Sequence, residues 1–352
     1  MSYTCEMTFA SHSRRCFAAF AALMCFTLPA GGCARRAHTE GSGPHLGMVT
    51  DVGGLGDKSF NDSAYAGLQR AQKELGANID VLQSRSAADY QPNLTAFANQ
   101  PIDEIYAIGF LMQKDLAEVA ERFPQKHFAI IDAIVDRPNV ASVTFKEEDG
   151  SFLAGALAAM VSKTKTIAFL GGIDIPLLRK FEVGFTAGAH QIDPSIKVLV
   201  KYVGSFDDVS SGKELAGVLF DQQADIIFTA AGKAGLGAID LVKTKPHDFI
   251  IGVDSDQDDL AKGRILTSMV KHVDVAIFKL AQDVAAHKFS AGHTILGLRD
   301  NAISLTDFRN TKDVVTAHMQ DRLRVLRAAI IAGKITPPAT RAELASFKPI
   351  AL

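Results

Sequence analysis

The 352 residues contain no tryptophan and only 5 tyrosines, against 22 phenylalanines, so the large aromatic faces belong to phenylalanine. Cysteine is confined to the first 33 positions, at Cys5, Cys16, Cys25 and Cys33. Beyond them no disulfide framework and no cysteine-containing metal site can exist. No cluster of five or more Lys/Arg occurs, and the formal net charge is −2. A general basic field for nucleic acid is therefore excluded. Ten histidines form neither an HExxH pattern nor a close pair suited to zinc. A G-x-S-x-G nucleophile elbow is also absent. The acidic run from Asp254 to Asp259 fails as a calcium loop, with Asp259 where glycine and Ile265 where glutamate is needed. The sequence thus offers no catalytic residue, no metal ligand set and no cofactor motif.

What is present is a globular composition, 47% hydrophobic and 22% charged, in a chain long enough for two domains. Near the start, Arg14 and Arg15 precede an uncharged apolar run over 17–30. That run is too short to span a bilayer comfortably but suits a signal-peptide core. Ala30-Gly31-Gly32 and then Cys33 follow, an order that resembles a bacterial lipoprotein signal. The expectation is a signal peptide over 1–32, a lipidated Cys33 that accepts palmitate, and a tether over 33–44 rich in Gly, Ser and charge. The protein would then sit on the bacterial cell membrane, lipid-anchored and facing the periplasm.

From position 45 onward, short apolar runs alternate with helical patterns. Strands are predicted at 46–50, 79–82, 104–108, 127–131 and 140–144, then at 166–170, 197–203, 225–229, 249–253 and 266–270. Helices with apolar residues at i, i+3 and i+4 are predicted at 61–75, 115–122, 152–161, 178–191, 212–221 and 273–286. Nearly continuous apolar strands alternating with helices imply an α/β fold of parallel sheets covered on both faces. Ten strands suit two sheets of about five. The first passage between the two halves is placed at 142–148. The division is then 45–146 plus 272–290 for an N-terminal lobe, and 147–271 plus 291–352 for a C-terminal lobe.

The densest signal runs from Met48 to Ala64, MVTDVGGLGDKSFNDSA. A strand ends at Asp51, glycines permit a tight turn, and a helix starts near Asn61. Amides at such a helix start can hold an oxygen-rich ligand. Two phosphate-loop readings fail. G-x-G-x-x-G begun at Gly54 meets Ser59, and Asp57 interrupts the Gly-Lys-Ser of a triphosphate loop. Asp51, Asp132 and Asp254 each stand at the carboxyl end of a predicted strand, where ligands of such folds sit. Three carboxylates converging on one cleft would favour neutral hydroxyl and amino groups over a phosphate. Each residue also has a plainer reading. Asp51 and Asp254 can be helix caps, Phe60 and Phe206 core residues, and Lys58 and Lys271 surface lysines.

Thr50-Asp51 through Gly54, and Asp57-Lys58-Ser59-Phe60-Asn61, resemble the signature of the basic membrane lipoprotein family. These are substrate-binding components of ABC importers, purine-nucleoside receptors among them. The resemblance continues through Ile131-Asp132, Ala230-Ala231-Gly232, Gly252-Val253-Asp254 and Ser268-Met269-Val270-Lys271. It implies a fold similar to ribose-binding protein, a type I periplasmic binding fold with two α/β lobes and three hinge crossovers. It also implies that Phe60 and Phe206 face a purine from opposite sides, and that Asn61 and Asp132 read base edges. Asp51, Asp254, Lys271 and the backbone at Gly232 would hold the ribose or its surroundings. Lys233-Ala234 follow Gly232, where relatives more often have a second glycine. The implied partners are a purine nucleoside, an ABC permease with its ATPase, and the membrane. Two other functions stay open on sequence grounds, a nucleoside sensor serving a signalling partner and a nucleoside-processing enzyme.

Overall fold

The computed structural model describes Met1 and residues 43–351; the signal peptide, Cys33 and most of the tether lie outside the described residues. In chain order the first half runs β1 (His45–Thr50), α1 (Phe60–Leu75), β2 (Asn78–Gln83), α2 (Tyr90–Ala98), β3 (Glu104–Ile108), α3 (Gln113–Arg122), β4 (His127–Ile131) and β5 (Val140–Phe145). Next come α4 (Glu147–Val161), β6 (Thr166–Gly171), α5 (Pro176–Ile192), β7 (Lys197–Tyr202), α6 (Val209–Asp221), β8 (Ile226–Ala230), α7 (Gly235–Val242), β9 (Phe249–Asp254) and β10 (Ile265–Lys271). The chain ends with α8 (Val273–Ala285), β11 (Gly292–Leu296), β12 (Ile303–Leu305), α9 (Ala317–Ile331) and α10 (Arg341–Ser346).

Two six-stranded sheets result, ordered β11-β5-β4-β3-β1-β2 and β12-β10-β9-β8-β6-β7. Every pairing is parallel except β10 with β12. Central strands such as β3 and β8 are buried along their whole length, which is why they read as unbroken apolar runs. Edge strands β2 and β7 are only half-buried.

The chain passes between the sheets three times, at Lys146, at His272 and over 297–302. The first passage joins β5 to α4. The helix beyond it starts at Glu147 rather than near 152, because Glu147, Glu148 and Asp149 fill its first turn, where the helix dipole favours acids. Strand β11 pairs with β5 in the first sheet, although a boundary at 291 assigns it to the second lobe. Its residues GHTIL are largely exposed, so no apolar run announces it. The third passage therefore lies after β11, and residues 292–296 belong to the N-terminal sheet. Among the described residues no helix is long and apolar enough to cross a membrane.

Candidate functional site

All eight residues singled out in the sequence line one cavity between the lobes: Asp51, Phe60, Asn61, Asp132, Phe206, Gly232, Asp254 and Lys271. Its empty volume is about 550 Å3, counting the part open to solvent. Asp51 follows β1, Asp132 follows β4, Asp254 ends β9 and Lys271 ends β10, all at carboxyl ends of strands. Asp132 and Asp254 adopt φ of 69° and 61°, a left-handed turn that aspartate tolerates better than most residues.

The loop before α1 is organised by Asp57. Its Oδ1 accepts the amides of Ser59 (2.9 Å) and Asp62 (3.1 Å), and its Oδ2 accepts the Asn61 amide (2.8 Å). The helix-start amides expected to hold ligand are therefore spent on Asp57. This corrects the sequence reading, which gave Asp57 no role. The Asn61 side-chain amide donates to Asp51 Oδ1 at 2.8 Å and to Asp57 Oδ2 at 3.0 Å. Both amide hydrogens are thus used, and Asn61 Oδ1 stays buried without a protein partner. Asp132 Oδ1 is buried and unpartnered in the same way. These two oxygens call for hydrogen-bond donors, since leaving such groups unpaired costs about 1–3 kcal/mol each.

Asp132 Oδ2 accepts from Lys271 Nζ at 2.5 Å. Lys271 is 2% exposed, and its ammonium lies 4.8 Å from the centre of the Phe60 ring. Burial would lower its pKa, but Asp132, Glu147 and Asp254 outweigh that and hold it above the ordinary lysine value. Burial pushes Asp51 up to about 6, against the opposing hydrogen bonds of Asn61 and Gly53. Asp254 is likewise pushed up to about 6 by burial, with Lys271 and Ser59 opposing. Lys233 also lines the cavity, so four aspartates face two lysines and the site stays acidic.

Phe60 opens α1 on the first lobe, and Phe206 sits in the loop after β7 on the second. The Phe206 ring needs Gly172, where an added Cβ would come within 2.3 Å of it. Gly232 has φ +55°, and a Cβ there would lie 3.3 Å from the Phe206 carbonyl oxygen. The rim is latched across the cleft. Ser59 Oγ donates to Asp254 Oδ2 (2.7 Å), Ser255 Oγ donates to the Ser59 carbonyl (2.9 Å), and Gln257 Nε2 donates to the Lys58 carbonyl (2.9 Å). The lobes are closed on one another. Among the described residues no group of three His, Cys, Asp or Glu is arranged for a metal.

Two parallel-dominated sheets joined by three passages around a cleft define a type I periplasmic binding fold. An ABC transporter system solute-binding protein from Aeropyrum pernix superposes with a TM-score of 0.80 at 27% identity, covering 86% of this chain and 96% of that one. A family model described as ABC transporter substrate-binding protein PnrA-like matches residues 45–340, and the chain belongs to this Bmp family. It is 37% identical over 317 residues to the CD4+ T-cell-stimulating antigen of Listeria monocytogenes, covering 83% of this chain and 87% of the relative. It is 32% identical over 313 residues to the ABC transporter nucleoside-binding protein BmpA of Lactococcus lactis, covering 83% and 88%. The protein is an ABC transporter substrate-binding protein, not an enzyme, and that role implies a small-molecule ligand and a permease partner.

Proposed function

We propose that the ligand is a purine nucleoside, captured in the cleft and delivered to the permease for uptake. The observation that carries this reading is one cavity lined by two phenylalanines from each lobe, Phe60 and Phe110 facing Phe181 and Phe206, and by two residues with buried, unpartnered acceptors, Asn61 Oδ1 and Asp132 Oδ1. A flat base offers faces to the rings and N–H groups to the acceptors. Ribose hydroxyls suit the carboxylates of Asp51 and Asp254 and the ammonium of Lys271. The nucleoside-binding name of the Lactococcus relative supports the same reading. Closure is the working step: a ligand that touches both lobes favours the closed state by its differential affinity for it. Protein purified without denaturation, then denatured and analysed by mass spectrometry, should release adenosine, guanosine or inosine. Stoichiometric release of a sugar or an amino acid instead would sink the proposal.

The N-terminus fits the same role. Cys33 acylation would hold the receptor at the cell membrane, facing the periplasm, with residues 33–44 as a tether. Cys33→Ser should abolish palmitate labelling and free the protein from membranes; labelling that survives the change would refute the anchor.

A further inference from the structure

Lys271 is the cation at the centre of the site, and what holds it there extends past the cavity wall. Its Nζ lies 2.5 Å from Asp132 Oδ2 and 3.7 Å from Glu147 Oε1. Glu147, at 0% exposure, is the first residue of α4, directly after the first passage between the lobes. Its other oxygen, Oε2, accepts from Lys180 Nζ of α5 at 3.0 Å, and Lys180 also donates to the Phe145 carbonyl at the end of β5 (3.0 Å). Charges alternate along this chain: Asp132, Lys271, Glu147, Lys180. Glu148 adds a longer contact to Lys180 at 3.8 Å.

The two carboxylates within 4 Å of Lys271 belong to different bodies, and Asp254, farther off, adds to the second lobe's share. Asp132 follows a strand of the first sheet, whereas Lys271 ends a strand of the second. Helix α4 packs on α5, α9, β10 and β12, all elements of the second lobe. Separating the lobes must therefore break the Asp132 contact and spare the Glu147 contact. Glu147 Oε1 accepts no hydrogen bond although it is fully buried, so its compensation is the nearby ammonium. An unpaired buried charge of either sign is strongly unfavourable.

We propose that Glu147 is a positioning residue for Lys271: it holds the ammonium at the cleft within the second lobe, and Lys180 anchors Glu147 to the first passage. Lys271 is then aimed at the ligand before Asp132 arrives on closure. Without the Glu147 charge, Asp132 is the one carboxylate left within 4 Å of the ammonium and draws it away from the ligand. The inference rests on Lys271 as a ligand-binding group.

The test has a ligand-free arm and a ligand arm. In thermal unfolding without ligand, the change in Tm on Glu147→Gln should be more negative in the wild-type background than where Lys271 is replaced. In a Lys271→Met background the same change should be neutral or stabilising, because the carboxylate there has lost its counter-charge. Equal losses in both backgrounds would show that Glu147 acts only through its helix and Lys180, and would overturn the proposal. In calorimetry with guanosine, Glu147→Gln should weaken binding roughly tenfold. Lys180→Met, which leaves the cavity lining intact, should weaken guanosine binding less, and should add nothing once Glu147 is Gln. Unchanged guanosine affinity in Glu147→Gln would also overturn it. If wild-type protein binds no nucleoside, the nucleoside reading falls, while the unfolding cycle still decides the role of Glu147.

Discussion

Asp51 and Asp57 take both amide hydrogens of Asn61, and the side-chain oxygen is thereby fixed as an acceptor. Such second-order consequences decide what the cleft can recognise, and they depend on which neighbour spends which donor. Sequence alone brought eight of the lining residues forward because strand ends collect ligand groups and because the motif resembled a family, and it left Phe110, Phe181 and Lys233 aside. It did not reveal Asp57 as the organiser of the loop, because its contacts are to backbone amides that only the folded turn presents. Glu147 was missed for a different reason. Its partners Lys271 and Lys180 are distant in sequence, and the helix pattern begins only at 152, which leaves 147 in the expected passage. Stacking belongs at this scale too. Phe60→Ala and Phe206→Ala should each weaken nucleoside binding by about 1–3 kcal/mol, which calorimetry can read; unchanged affinity in both would remove the aromatic pair from the account.

Glu104 supplies a second residue-scale prediction. It is 1% exposed, no cation among the described residues pairs with it, and burial pushes its pKa from 4.5 up to about 7 against the opposing Tyr106 hydroxyl. The folded state therefore binds the Glu104 proton more tightly than the unfolded chain does. The stability this contributes is complete below pH 4.5 and is lost as pH rises through about 7. Glu104→Gln should accordingly raise Tm at pH 8, by the equivalent of roughly 2 kcal/mol, and change it little at pH 4. Melting curves at both pH values check this; a Tm lowered equally at both would contradict it.

At the scale of elements, α4 and α5 form the inner wall of the second lobe and come together through glycine. A Cβ added at Gly155 would lie 1.9 Å from the Phe185 carbonyl oxygen, and one at Gly188 would lie 1.8 Å from the Phe152 carbonyl oxygen. Neither backbone can yield cheaply, because both helices are buried on their facing sides. Gly155→Ala and Gly188→Ala should each destabilise by roughly 3 kcal/mol, read by denaturant unfolding. An effect under about 0.5 kcal/mol, the range of an ordinary surface change, would show that the helices can slide apart. Element types were legible wherever burial made the pattern strong, as in β3, β8 and α1. They were illegible where it did not. Helix α7 carries Gly235 and Gly237 in its first turn, β12 has three residues, and β11 is exposed and lies far in sequence from its partner β5.

For the whole molecule, the proposed nucleoside function requires a closed cleft that recognises a neutral nucleoside by its base and its ribose together. Asp51, Asp57, Asp132 and Asp254 face Lys233 and Lys271, so a 5′-phosphate would enter an acidic site with little water to screen it. A free base would leave Asp254 and Lys271 without ribose partners. The most direct measurement is a competition series of guanosine, guanine and guanosine monophosphate on wild type and Asp254→Ala. Guanosine should compete far better than either of the others on wild type, and Asp254→Ala should lose guanosine affinity while changing that of guanine little. A monophosphate that competes as well as guanosine would contradict the carboxylate-lined cleft.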